Sequence, residues 1–178
     1  MKKTTLCLVC VFILMLTAQV FADEVSPLQI FHLMKQVFPA QEKVAVFISD
    51  AQYTKLKDKI NLAAMQNNVK AHVFIVESSG DIGTALNGLE KNSVLILFES
   101  RTLLNNTSKL YILSKCKEKQ VPIVTTSKAY SDSGALVAVV KDQDDKLALT
   151  LNLKQNAHLK DLFTEELIAK IGFNDVIL

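Results

Sequence analysis

Short apolar runs alternate along the chain with longer segments in which apolar residues recur every three or four positions. Runs of this kind, rich in β-branched residues, are typical of strands buried on both faces of a sheet. The helical spacing between them predicts amphipathic helices. The runs that predict strands are KVAVFIS (43–49), AHVFIVE (71–77), SVLILFE (93–99), VPIVTT (121–126), GALVAVV (134–140) and KLALTLNL (146–153).

Helix-forming patterns precede the first strand and separate the others. The first pattern follows Ser26, an N-cap residue with proline at the next position, and Pro39 ends it. The other helical segments are 56–64, 82–89 after a cap at 79–81, 103–119, a single turn at 128–132, and one broken or two short helices over 156–172. This alternation of strand and helix predicts a parallel sheet with helices on both faces.

The last two predicted strands depart from that pattern. Only the acidic turn DQDD, residues 142–145, separates them. A connection this short joins antiparallel strands, because a parallel pair needs a long crossover. The sequence contains no linker, low-complexity tract or internal repeat. We therefore predict a single three-layer α/β domain with a mainly parallel, Rossmann-like sheet and a C-terminal antiparallel hairpin.

The N-terminal segment has the pattern of a secretory signal peptide. Lys2 and Lys3 precede an almost wholly apolar stretch, 6–16, and VFA at 20–22 offers residues that a signal peptidase tolerates. The apolar stretch is shorter than the roughly 20 residues that span a bilayer. We predict a signal peptide over 1–22 and export to the periplasm. An uncleaved membrane anchor is the alternative.

Removal of the predicted signal peptide leaves a domain over 23–178 with balanced charge. The signal segment holds two of the 20 basic residues and none of the 18 acidic ones, so the domain carries 18 of each sign. A neutral domain is not steered toward nucleic acid or an anionic membrane. Arg101 is its only arginine, which further argues against a phosphate-binding surface.

The residues that usually carry catalysis or bind metals are few and scattered. Cys116 is the only cysteine outside the signal segment, so neither an internal disulfide nor a thiolate metal site is expected. We predict that it packs half-buried in the helix over 103–119; a thiol activated by the flanking lysines is the alternative. His32, His72 and His158 lack ligand spacing, and no catalytic signature is present. We predict a protein without enzymatic activity, metal or cofactor.

The polar residues that follow the strands form the candidate site. Ligands of open parallel sheets bind outside the carboxyl ends of the strands, near the point where the strand order reverses. Residues 125–133 place six hydroxyl groups in nine positions. The candidate ligand-binding residues are Ser49, Asp50, Glu99, Thr125, Thr126 and Tyr130. These groups suit a neutral or zwitterionic small molecule. The alternative is that they cap the helices that follow.

The order of these segments resembles the substrate-binding proteins of the ABC transporter family. The matching stretches are LQIFHLMKQVFPAQEKVAVFISD (28–50), GDIGTALNGLEKNSVLILFESRTLL (80–104), KEKQVPIVTTSKAYSDSGALVAV (117–139) and LALTLNLKQNAHL (147–159). The resemblance implies a fold like one lobe of a type I periplasmic binding protein. It makes Glu99 the counterpart of an acidic residue after the family's strand, and Asn152 the counterpart of a strand-terminal asparagine.

The family's proteins have two lobes that grip the ligand between them, whereas this chain has residues for only one. Either two chains pair as a homodimer across their strand ends, or the lobe has lost transport and serves another purpose. The implied function is a solute-binding component of an ABC-type transport or sensing system. Its implied partners are a small-molecule solute and a membrane permease or sensor protein.

The C-terminal part also resembles the YfiR family of small periplasmic proteins. That family shows a glycine, a strand, an acidic turn, a strand ending in I-N-L, a short helix and a final Val-Ile, as residues 134–177 do here. Such proteins hold a membrane-bound diguanylate cyclase inactive. This alternative implies an exposed apolar face on the first helix, at Phe31, Met34 and Phe38, or on the C-terminal helices. Packing of the first helix on the sheet is the competing interpretation.

Overall fold

The computed structural model describes residues 25–142 and 144–178. The predicted signal peptide over 1–22 lies outside the described residues, as does Gln143 of the predicted acidic turn. The helices are α1 (Pro27–Val37), α2 (Asp50–Gln66), α3 (Ser79–Asn87), α4 (Arg101–Leu104), α5 (Asn106–Lys119), α6 (Lys128–Ser131), a 3-10 helix (Ala157–Leu162) and α7 (Glu165–Ile171). The strands are β1 (Lys43–Ile48), β2 (Lys70–Ile75), β3 (Val94–Leu97), β4 (Ile123–Thr125), β5 (Val137–Lys141), β6 (Leu147–Asn152) and β7 (Asp175–Ile177).

The strands form one sheet in the order β2-β1-β3-β4-β5-β6-β7. Strands β1 to β5 are mutually parallel, and β6 pairs antiparallel with β5, which confirms the predicted hairpin. From β1 the chain moves outward to β2, and it then crosses back to β3 on the other side of β1. The strand order therefore reverses between β1 and β3, and this is where an open α/β sheet forms its ligand crevice.

Each face of the sheet is covered by its own apolar cluster, as predicted for a three-layer domain. The side chains of β1 alternate between the clusters: Val44, Val46 and Ile48 face one, and Ala45 and Phe47 face the other. Helices α1 and α2 cover the first face together with residues of the C-terminal segment. Helices α3 and α5 cover the second. The complete burial of the central strands explains why their sequences are continuous apolar runs.

Helix α1 packs on the sheet and does not present the apolar surface that was one of the two options in the alternative interpretation. Phe31 and Met34 are fully buried in the first cluster, and Phe38 packs partly buried against it. The expectation of an exposed face at these three residues is therefore wrong. The physical reason is that β1 and β3 need a cover on this side, and the apolar stripe of α1 provides it.

Two elements differ from the prediction. The helix expected over 103–119 is divided at Asn105, whose non-helical backbone separates α4 from α5. The side-chain oxygen of Asn105 accepts hydrogen bonds from the amides of Thr107 and Ser108. An asparagine in this position satisfies the free amides of a new helix start. In addition, the last residues form a seventh strand, β7, parallel to β6. Three residues carry too little periodicity to predict such a strand.

Cys116 lies in the second cluster with 1% of its surface exposed, so it is more buried than predicted. Burial raises the pKa of its thiol to about 12, and the nearby Lys119 charge offsets only part of that rise. The activated-thiol alternative would need the opposite shift. In the folded domain this side chain therefore behaves as an apolar group.

We expect the thiol of the folded domain over 23–178 to react with a disulfide reagent at pH 8 at least about 100-fold more slowly than that of the urea-unfolded chain. Stability should also fall as the pH rises from about 9 toward 12, because the unfolded chain's thiol ionises in that range while the folded one stays protonated. Absorbance-monitored labelling and urea titrations at several pH values measure both effects. Rapid labelling of the native protein would contradict the assignment.

Candidate functional site

A continuous set of hydrogen bonds links the loops at the carboxyl-terminal edge of the sheet. The backbone amide of Asp50, after β1, donates to Glu77 Oε1, after β2, at 2.6 Å. Gln52 Nε2 donates to the backbone oxygen of Glu99, after β3, at 2.8 Å. The Glu99 amide donates to Thr126 Oγ1, after β4, at 3.0 Å. The bonds follow the strand order β2-β1-β3-β4, and we call these five residues the edge network.

The bond between Gln52 and Glu99 crosses the switch point itself. Gln52 lies in the first turn of α2, where its side chain also takes part in a capping box with Ser49. On the far side of β1, Thr102 Oγ1 donates to the Glu77 backbone oxygen at 3.0 Å, which ties α4 to the end of β2. The edge is thus held together on both sides of β1, and a ligand would meet loops that are already positioned.

Several of the polar residues at this edge also serve as helix caps, as the alternative interpretation expected. Ser49 Oγ accepts from the Gln52 amide, Ser78 Oγ from the Asp81 amide and Ser100 Oγ from the Leu103 amide. The Ser78 hydroxyl and the amides of residues 77 and 78 hold the pKa of the Asp81 carboxyl below its usual value. Capping therefore explains these serines, and the Glu77 carboxylate likewise accepts from the Asp50 amide at the start of α2.

Two of the sequence-predicted site residues lie inside the protein. Thr125 is fully buried, where its hydroxyl donates to the Leu97 backbone oxygen at 3.1 Å and accepts from the Ser127 amide at 3.1 Å. Tyr130 is also fully buried, and its hydroxyl donates to the Leu103 backbone oxygen at 2.8 Å. Burial raises the pKa of the Tyr130 phenol far above its ordinary value, so it remains a donor. Both hydroxyl groups brace the fold.

The other four predicted residues are accessible. Asp50 and Glu99 are exposed, and Ser49 and Thr126 are half-buried at the surface of the edge. The structure brings these four together through the edge network and the cap at the start of α2. Gln52, Glu77 and Thr102 are not among the ligand-binding residues predicted from the sequence. Their positions just after strand ends were visible in the sequence, but their contacts depend on which strands are neighbours.

The hydroxyl-rich segment after β4 is mainly structural. Of its six hydroxyls, those of Thr125, Thr126, Tyr130 and Ser133 bond within the protein. Ser127 Oγ is buried and has no hydrogen-bond partner among the described residues. The segment is further tied to β6 by Asn152, whose Nδ2 donates to the Ser131 backbone oxygen at 3.0 Å. The strand-terminal asparagine of the resemblance is therefore a buried brace.

The edge has an acidic electrostatic character. Asp50, Glu77 and Glu99 are exposed carboxylates, whereas the basic residues at the starts of the helices that follow these strands and β4 are Arg101 and Lys128. Carboxylates at such positions attract a cationic group of a ligand, and the hydroxyl and amide groups beside them can orient it. None of the ion pairs among the described residues involves these three carboxylates.

Residues 25–142 and 144–178 contain neither a metal-binding cluster nor a membrane-spanning helix. No group of three or more His, Cys, Asp or Glu side chains in these ranges is arranged to hold a metal ion. No helix in the same part of the chain has both the length and the apolar character needed to cross a membrane.

Comparison with known proteins gives a family match. The model of the family described as ABC transporter substrate binding protein matches residues 22–149, well over half of the chain. A comparison with curated proteins found no match.

Three solved structures share the fold at low sequence identity. A conserved domain protein from Vibrio cholerae has a TM-score of 0.73 at 16% identity, covering 86% of this chain and 61% of that protein. An ABC domain from Streptococcus pneumoniae, in complex with L-Trp, has a TM-score of 0.69 at 16% identity, covering 85% of this chain and 62% of that one. A substrate-binding protein with adhesive properties from Clostridium difficile, in a ligand-free, open structure, has a TM-score of 0.61 at 13% identity, covering 84% and 56%. This chain therefore spans about three-fifths of the length of these proteins.

Proposed function

Because this chain belongs to the ABC transporter substrate-binding protein family, we propose that it binds a small solute bearing an amino group, at the carboxyl-terminal edge of the sheet between β1 and β3. The observation that carries this proposal is the edge network, which joins the loops after four neighbouring strands across the switch point. The proposed role is binding without catalysis, in the periplasm, as part of a transport or sensing system.

The preference for an amino group follows from charge. Asp50 and Glu99 flank the switch point and are exposed, so each can accept hydrogen bonds from an ammonium group without loss of an existing ion pair. Ser49 and Thr126 lie next to them and offer weaker polar contacts. The domain from Streptococcus pneumoniae with the same fold was solved with L-Trp, and an amino acid carries such a group.

A single open edge covers only one side of a solute, whereas ligand sites usually bury 70% or more of a small ligand. We therefore propose that two chains pair across their carboxyl-terminal edges and enclose the solute between two edge networks. This chain covers 56–62% of each of the three structural neighbours.

Native mass spectrometry of the domain over 23–178, purified from its own compartment without dialysis, tests this proposal. We expect a dimer that carries an additional small mass. The Asp50→Asn/Glu99→Gln double variant should lose that mass, because the amides cannot pair with a cation. Glu90→Gln is the matched control. Glu90 precedes β3, at the opposite edge of the sheet, where it forms an ion pair with Lys43, so this variant should retain the mass.

A bare wild-type chain, or a mass that the double variant retains, would contradict the proposed site. A bare monomer would also direct attention to the YfiR-like alternative, in which the ligand is another protein. Burial of Phe31 and Met34 removes α1 as the surface for that alternative, which would then use the C-terminal helices, where Leu162 is exposed. A monomer that carries the solute would contradict the pairing of chains and leave the site itself supported.

A further inference from the structure

A cavity at the opposite edge of the sheet is not part of the edge network. Its volume is about 300 Å³. It lies between α5, the residues that lead into β4 and β5, and the segment that follows β6. Because β6 runs antiparallel to β5, the end of β6 lies beside the start of β5. The cavity is thus at the amino-terminal edge of the parallel strands, and its volume is at the lower end of the range for small-molecule sites.

The lining combines an apolar wall with hydrogen-bond donors. Leu113, Val121 and Ile123 contribute to the apolar side. Lys117 and His158 also line the cavity. No acidic side chain is among the described residues that line it. The ion pairs found in the described parts of the chain do not include Lys117, so no carboxylate there lies within ion-pair distance of its ammonium group.

One wall of the cavity is held in place by the fold. Asn156 Nδ2 donates to the backbone oxygens of Gly134 and Asn152, at 3.1 and 2.8 Å. Gly134 has a φ of +122°, and a Cβ there would lie 2.5 Å from Gln155 Oε1. Glycine is favoured at this position because of its backbone conformation, whereas the Gln155 amide lies at the end of a flexible side chain that can move aside. A wall fixed in this way forms the cavity before any ligand arrives.

We propose that this cavity is a second binding site, for a small organic anion that has one carboxylate and an apolar body. The carboxylate would lie at Lys117 and His158, and the body would contact the apolar wall. A basic lining without acids selects against the cationic group that the acidic edge favours. The two edges of the sheet therefore differ in the charge of the ligand they accept.

The test uses benzoate as the probe and benzamide as its neutral isostere, with the ¹⁵N-labelled domain over 23–178 followed by NMR. We expect benzoate to shift amides in 117–123, 133–134 and 155–158 in a saturable way. Benzamide should bind at least about fivefold more weakly, because it lacks the charge. Lys117→Gln should weaken benzoate binding at least about fivefold. Lys115→Gln is the control, since Lys115 pairs with Glu118 on the same helix and does not line the cavity.

Three results would overturn the proposal: no saturable shift up to about 20 mM benzoate, a range that covers weak fragment binding; shifts confined to the carboxyl-terminal edge; or equal effects of the two lysine variants. The Asp50→Asn/Glu99→Gln variant separates this site from the proposed function. We expect it to bind benzoate as the wild type does, within about twofold, and a larger loss would also count against a separate site. The lysines tested are solvent-facing, so their variants should fold.

Discussion

Replacement of Phe47 by alanine is expected to lower the free energy of unfolding by about 3–5 kcal/mol. Phe47 is fully buried on β1, and its ring packs edge-to-face on Phe74 with 5.6 Å between the ring centroids. The substitution removes a large apolar surface and leaves a cavity that the flanking strands cannot fill. Urea unfolding followed by circular dichroism measures the change.

Two further variants make the comparison specific. Phe47→Leu keeps most of the apolar volume and should cost about 1–2 kcal/mol. Phe74→Ala removes the same ring type from the edge strand β2, where it is only partly buried, and should cost less than Phe47→Ala. Equal losses for the two alanine variants would show that the second apolar cluster does not centre on β1. Since β1 also carries Ser49 and Asp50 at its carboxyl end, its packing positions the proposed solute site.

The second large effect is expected at Tyr130. Tyr130→Phe should lower the free energy of unfolding by about 1–3 kcal/mol, because the buried Leu103 backbone oxygen loses the hydroxyl that donates to it. Tyr130→Ala should cost about 3–5 kcal/mol, because the ring is also removed from the core. The difference between the two variants separates the contribution of the hydroxyl from that of the ring.

Tyr130 was selected from the sequence as a ligand-binding residue, so these variants also test that role. If the hydroxyl is a structural brace, Tyr130→Phe should retain the bound solute mass in native mass spectrometry at a temperature where the variant is folded. Ser133→Ala is a suitable comparison, since its hydroxyl donates to Ala129 within the same segment and is only partly buried. If Tyr130→Phe lost the solute mass while its free energy of unfolding was unchanged, the Tyr130 hydroxyl would have to contribute to ligand binding.

The elements could be predicted from the sequence because each depends on neighbours along the chain. Apolar runs predicted β1 to β6, and the runs are clearest in β1, β3 and β4, because a strand covered on both faces has few polar positions. The short acidic turn predicted the β5–β6 hairpin, and Ser26 with Pro27 predicted the start of α1. The break at Asn105 was missed because the helical periodicity continues across it, and its cap is visible only in the hydrogen bonds.

The candidate site could be predicted only in part. That polar residues would collect at the strand ends follows from the rule for open sheets, and Ser49, Asp50, Glu99 and Thr126 do lie at that edge. The residue type alone does not predict whether a hydroxyl group at the end of a strand points toward solvent or into the core. Thr125 and Thr126 are adjacent in sequence, yet one bonds to Leu97 in the interior and the other receives the Glu99 amide at the edge.

By itself, the sequence determined the α/β class and the two-faced core, and it predicted the edge that is proposed here for the ligand. These properties depend on local periodicity and on the character of the residues that end each strand. The tertiary structure decided which loops become neighbours, and thereby joined Glu77, Gln52 and Thr126 into one network. It also placed Lys117 and His158 around a cavity on the opposite edge. Such contacts join residues far apart in the chain, so they depend on the strand order and the packing of whole elements.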